Sequence, residues 1–205
     1  VSSAGDVNGD MYSDIIIGHH LYDNGQTNEG RVLVYHGSAS GPSTTPSWTF
    51  ESNAASAQLG YSVSTAGDVN GDGYSDVIVG APYLDNGQTD EGRVYVFHGS
   101  ATGLSTSPNW TYERDQAAAY LGRSVACAGD VNGDGFSDII FGAPFFDGGN
   151  TNEGRVFVFH GGATGLGAST SWITEANQDG ANAGASVACA GDVNGDGFSD
   201  IIYGT

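Results

Sequence analysis

The chain has no lysine and only five arginines among its 205 residues, against 24 aspartates and glutamates, so its formal charge is -19. A surface of that sign repels phosphate backbones and anionic headgroups, which excludes nucleic acid and acidic membranes as partners. Long apolar runs are also missing: none approaches the ~20 residues of a membrane-spanning helix, so direct membrane insertion is excluded. Helix-forming charged residues are scarce, whereas 34 glycines and abundant Ser, Thr and Asn supply turns. That balance points to an all-β fold. The two cysteines, Cys127 and Cys189, are too few for a disulfide framework. Small-residue packing is the expectation for them, and their redox state stays open.

Repetition is what the sequence does have. Ala-Gly-Asp-Val-Asn-Gly-Asp stands at residues 4–10, 66–72, 128–134 and 190–196, and its first aspartates are 62 residues apart each time. Fixed periodicity marks a fold built from copies of one unit. Within each unit a short apolar run follows the acidic segment: Ile15–Ile17, Val77–Val79, Ile139–Phe141 and Ile201–Tyr203. Such runs, rich in β-branched residues and bounded by Asp and Gly, fit strands buried on both faces. A second run, Val32–Tyr35, Val94–Phe97 and Val156–Phe159, lies between Gly-Arg and His-Gly. A third strand is expected around Trp48, Trp110 and Trp172, and a fourth, such as 62–66, leads into the next acidic segment. Four short antiparallel strands make one propeller blade. The expected blades span about 1–53, 54–115, 116–177 and, in part, 178–205.

The acidic segments carry the chemistry. In 68–76, oxygen-bearing side chains fall at the first, third, fifth and ninth positions, and Gly73 at the sixth lets the loop turn sharply. A hard cation such as calcium takes about six to eight oxygens in a flexible cage, which alternate residues of a tight loop supply. The expected ligand sets are Asp6, Asn8, Asp10 and Asp14; Asp68, Asn70, Asp72 and Asp76; Asp130, Asn132, Asp134 and Asp138; and Asp192, Asn194, Asp196 and Asp200. The backbone carbonyls of Tyr12, Tyr74, Phe136 and Phe198 would join them, giving one Ca2+ per repeat and up to four in the chain. No thiolate or imidazole lies in these loops, which argues against zinc and copper. An EF-hand needs an acid at the twelfth position, where Ile17, Val79, Phe141 and Tyr203 stand instead.

The stretch from Leu59-Gly60 through Asp68–Gly73 to Gly80-Ala81-Pro82, repeated from Leu121-Gly122 to Gly142-Ala143-Pro144, resembles the FG-GAP repeat of integrin α-subunit propellers and their bacterial relatives. The resemblance covers the whole chain. It implies a β-propeller, typically seven-bladed, of which three full blades and a half blade are present. It also implies calcium in the hairpin loop joining the first two strands of each blade. Seven blades of this length need roughly 430 residues. The chain is therefore expected to be part of a larger secreted or surface protein, with copies assembling through open blade edges as the alternative.

Positions that break the repeat are the better candidates for individual function. Met11 replaces the glycine of the other loops, and His19-His20 replaces Ala-Pro. Shared residues read as architecture: Trp48, Trp110 and Trp172 as packing between blades, His36, His98 and His160 as strand ends. Glu29, Glu91 and Glu153 are expected to pair with Arg31, Arg93 and Arg155 or to be solvated. The expectation is thus a non-catalytic, calcium-stabilised extracellular module for protein interaction or cell adhesion. A lectin, a structural subunit of a surface assembly and part of a polysaccharide-degrading enzyme are the rival readings. A protein or glycan ligand would meet the face opposite the calcium loops.

Overall fold

A computed structural model describes all 205 residues and contains fourteen strands and no helix. The first sheet holds β1 (Ser2–Gly5), β2 (Asp14–His19), β3 (Arg31–Tyr35) and β4 (Trp48–Glu51). The second holds β5 (Ser62–Gly67), β6 (Asp76–Ala81), β7 (Arg93–Phe97) and β8 (Trp110–Glu113). The third holds β9 (Ser124–Gly129), β10 (Asp138–Ala143), β11 (Arg155–Phe159) and β12 (Trp172–Glu175), and β13 (Val187–Gly191) pairs with β14 (Asp200–Tyr203). Every sheet is an antiparallel meander in chain order. The first strands of successive sheets pack on one another, β1 on β5, β5 on β9 and β9 on β13. These are the blades of a β-propeller, with their first strands innermost.

The apolar runs behave as their composition demands. All six residues of β6 and of β10 are buried, because a neighbouring sheet covers each face. The hydrophobic cores lie between blades. Val32 and Val34 of the first blade share a cluster with Val77, Val79 and Phe97 of the second, and Val94 and Val96 of the second share one with Phe141 and Phe159 of the third. Trp48 and Trp110 close these seams as expected of packing residues, whereas Trp172 is largely exposed. Trp48 meets Phe97 edge-on at 4.9 Å and donates its indole N–H to the Ser105 carbonyl, and Trp110 does the same with Phe159 and Gly167. Leu59 and Leu121 plug the seams with no exposure, and their amides donate to the carbonyls of Glu29 and Glu91 in the preceding blade.

Seams this close leave no room for a Cβ at certain backbone crossings. A Cβ at Gly18, Gly80 or Gly142 would collide with the carbonyl oxygen of Gly60, Gly122 or Gly184 in the next blade. At the opposite end of each hairpin, the register shifts between Thr65 and Gly67 and at the equivalent places. Such a bulge bends the strand as it enters the acidic loop.

The acidic loops as a candidate metal centre

Each acidic loop is wound around its first aspartate. Asp68 Oδ1 accepts the amides of Gly71 and Asp72 at 2.7 and 3.1 Å, and Oδ2 accepts that of Gly73 at 2.8 Å. Asp6, Asp130 and Asp192 hold their loops by the same three amides. The third-position asparagine accepts the fifth residue's amide and donates to that aspartate's Oδ2, as Asn8 and Asp10, Asn70 and Asp72, Asn132 and Asp134, and Asn194 and Asp196 all show. The aspartate's Oδ1 then accepts the amide of Tyr12, Tyr74, Phe136 or Phe198. The four expected ligand sets are therefore built alike.

The ninth-position aspartate is the buried member. Asp14, Asp76 and Asp138 open the second strand of their blades and are at most 1 % exposed. Asp76 accepts the amides of Val69 and Gly99, both at 2.9 Å, tying the loop to the turn after β7. Burial pushes Asp76 up to about 7, with Asp72 and Asp68 adding to the rise and the two amides opposing it. Asp138 is likewise raised, by burial first. Asp200 accepts the amide of Val193. By contrast, the Asn8 amide first, then the Tyr12 N–H, hold Asp10 below the usual carboxylate range.

No lysine or arginine balances these groups. The two ion pairs of the molecule, Arg93–Glu113 and Arg155–Glu175, lie at the other end of the blades. Nor do three His, Cys, Asp or Glu side chains converge into a ready metal cluster. The donors within each loop are the hard oxygens of carboxylates and an amide. A carboxylate oxygen bound to one amide keeps a free lone pair. This all-oxygen donor chemistry fits calcium better than a softer ion.

Two contributions escaped the sequence reading. Asn8, Asn70 and Asn132 contact Nδ1 of His36, His98 and His160 at 3.3, 3.2 and 3.0 Å. These histidines hold the third-position asparagine, and burial lowers His98 against the pull of Asp72 and Asp68, favouring the neutral ring. The signal was present as a constant offset of 28 residues between each asparagine and the histidine closing the third strand. Second, successive loops are joined. Ser75 donates its amide to the Asp6 carbonyl, as Ser137 does to Asp68 and Ser199 to Asp130. The rings of Tyr74, Phe136 and Phe198 lie against Gly9, Gly71 and Gly133 of the preceding loop. The seventh position of these three loops is therefore aromatic for packing.

The expectation for the recurring glutamates is corrected. Glu29, Glu91 and Glu153 are fully buried rather than solvated, and Arg93 and Arg155 pair with Glu113 and Glu175 across the β7–β8 and β11–β12 hairpins. Arg31 stacks on Tyr22 at 3.7 Å. Cross-strand register places Arg93 opposite Glu113, which sequence separation alone did not reveal. Glu91 instead accepts the Asn86 amide inside its own loop. Cys127 and Cys189 are free thiols.

With this geometry in hand, similarity to known proteins becomes informative. The FG-GAP repeat family matches residues 1–35, 59–97 and 122–159. The chain is 30 % identical to integrin alpha-5 of Xenopus laevis and 35 % identical to integrin alpha-V of Gallus gallus, over 98 % of its own length and 19 % of theirs. It is also 34 % identical to a phosphatidylinositol-glycan-specific phospholipase D of Bos taurus, over 79 % of this chain and 20 % of that protein. The chain thus spans about a fifth of the length of these relatives.

Proposed function

Because the chain belongs to the FG-GAP repeat family, we propose that it is a calcium-stabilised extracellular propeller module that serves protein interaction or cell adhesion without catalysis. The observation that carries this reading is the ninth-position aspartate: buried, flanked by two further carboxylates and paired with no arginine. Calcium would be held by the four side-chain sets and the seventh-position carbonyls, and when bound it would supply the positive charge that the loops lack. The chain's own residues do the rest. The first aspartate winds the loop, the histidine aims the asparagine, and the loop-to-loop serines and aromatics pass the bracing from blade to blade.

An extracellular setting suits such sites, because free calcium there is high enough to fill modules of about 10⁻⁴–10⁻³ M affinity. Interaction rather than catalysis is supported by the integrin resemblance over nearly the whole chain. The recurring histidines support it too, since they face loop asparagines instead of a nucleophile. The test is calorimetry combined with melting curves in calcium and in chelator. Binding of up to four ions is expected, with a clear rise in midpoint, since each filled site contributes about 2.7 kcal/mol at a hundredfold excess over Kd. Asp68→Ala should remove one ion from the stoichiometry. A midpoint indifferent to chelator would sink the calcium reading.

A further inference from the structure

On the face opposite the acidic loops, aromatic side chains of three blades come together. His20, Tyr61, Tyr83, Tyr120 and Phe145 form a ladder whose ring centroids are 5.4, 5.9, 5.0 and 5.3 Å apart. Tyr83 and Phe145 stand one period apart, but the repeat does not supply the rest: one period from His20 stands Pro82, from Tyr120 stand Gln58 and Asn182, and from Arg123 stand Tyr61 and Ala185. Arg123 lies over the rings of Tyr61 and Phe145, 5.4 and 5.6 Å from their centroids. It opens into a cavity of about 470 Å³ that His20, Tyr61, Ser62, Ser124 and Ser186 also line.

Arg123 differs from the other arginines. Arg93 and Arg155 are held in ion pairs; Arg31 and Arg114 make no ion pair either, but Arg31 lies over the single Tyr22 ring with its Nε buried, and Arg114 stands between Glu113 and Asp115 in the chain. No acid pairs with Arg123, although Asp90 lies beside the neighbouring Tyr120 hydroxyl. On a surface of net charge -19 without lysine, an uncompensated guanidinium held between two rings is a local exception. We propose that this cavity receives an acidic side chain, Asp or Glu, of a protein partner, with its carboxylate on Arg123 and the aromatic ladder packed around it.

The proposal rests on the reading of this face as the interaction face and names the chemistry it recognises. Three features favour a protein over a sugar. Tyr, Phe and Arg are the residues enriched where protein interfaces concentrate binding energy. The rings are tilted 64–74° to one another, so they present edges rather than the parallel planes on which a pyranose stacks. Ring edges carry the positive end of the aromatic quadrupole, which attracts a carboxylate oxygen. Finally, the hydroxyls of Ser62 and Ser124 already donate to the carbonyls of Gly122 and Gly184 at 2.6 and 2.7 Å. Their free lone pairs accept peptide N–H groups.

The experiment follows the Arg123 Nε–H resonance of the calcium-saturated chain at about 0.15 M salt, where a Debye length of ~8 Å screens the net charge but not a direct contact. The probes are acetyl-Gly-Asp-Tyr-amide, its Asn counterpart and galacturonate. The Asp peptide should shift the resonance and bind roughly tenfold or more tightly than the Asn peptide, as a charge-assisted bidentate contact requires. Arg123→Ala should abolish that preference and Arg123→Lys retain part of it, with the melting midpoint of each variant confirming its fold. Equal binding of the two peptides, a preference that survives in Arg123→Ala, or tighter binding of galacturonate overturns the proposal. Shifts at Tyr61 and Tyr83 without Arg123 dependence would sink acid recognition alone and leave the interaction face standing. No shift with any probe would sink both.

Discussion

At the scale of single residues, Met11 shows how strongly the loop dictates its backbone. It adopts φ 71°, in the left-handed region that Gly73, Gly135 and Gly197 occupy at 90°, 89° and 93°, and its side chain is almost wholly exposed. The side chain's packing therefore offsets none of the about 1 kcal/mol that this conformation costs a residue with a Cβ. Met11→Gly should stabilise the chain by about that amount and tighten calcium binding at the first loop; calorimetry that finds the wild-type first loop already equal to the others would refute the backbone argument. Asp76 makes a prediction about pH. Its folded pKa of about 7 stands above the ordinary aspartate value of 3.8, so between these values the unfolded chain releases a proton that the fold retains. Stability of the calcium-free chain should therefore fall as pH rises from about 4 to 7 and level off above. Asp76→Asn should flatten this part of the profile in melts run with chelator, whereas an unaltered slope would assign the dependence to other groups.

At the scale of elements, the strands follow from local pattern and the seams do not. The β-branched runs at Val77–Val79 and Ile139–Phe141 needed only their composition to be read as doubly buried strands, since a polar residue there would lack a partner on either face. The seams depend on what lies one period away. Gly80 fits because its Cα meets the Gly122 backbone of the next blade, so Gly80→Ala should cost about 2–3 kcal/mol through overpacking. Gly149, with open space around it and no positive φ, provides the control: Gly149→Ala should stay within ~0.5 kcal/mol in chemical denaturation. The tryptophans divide in the same way. Trp110→Ala should cost about 3 kcal/mol, because its ring packs on Phe159 and its N–H reaches Gly167. Trp172, whose exposure is 44 %, should tolerate the change with less than about 1 kcal/mol lost. Equal losses at the two sites would contradict packing between blades as their role.

At the scale of the whole molecule, charge and bracing are one problem. Twelve of the 24 acids are the aspartates of the acidic loops, and filling four sites would take the formal charge from -19 to -11. Native electrophoresis with and without calcium should show that loss of mobility, and an unchanged mobility would contradict stoichiometric loading. Because Ser75, Ser137 and Ser199 link each loop to the one before, the ions would stiffen a continuous rim rather than four separate hairpins. The opposite face is free of that constraint. Its aromatic ladder and Arg123 are assembled from three blades, which is where individuality can enter a repeated scaffold without disturbing the copies.

The sequence by itself determined the repeat, the strands, the propeller class and the residues of the acidic loops, because each is a matter of spacing and local chemistry within a few residues. It could not show that Arg93 belongs to Glu113 rather than Glu91, since strand register decides that pairing, nor that His98 serves Asn70. Only the tertiary structure decided which side chains meet on the face opposite the acidic loops. His20, Tyr61, Tyr83, Tyr120, Arg123 and Phe145 are scattered over 126 positions of the chain and become neighbours through the stacking of blades, a contact between surfaces that no local pattern encodes.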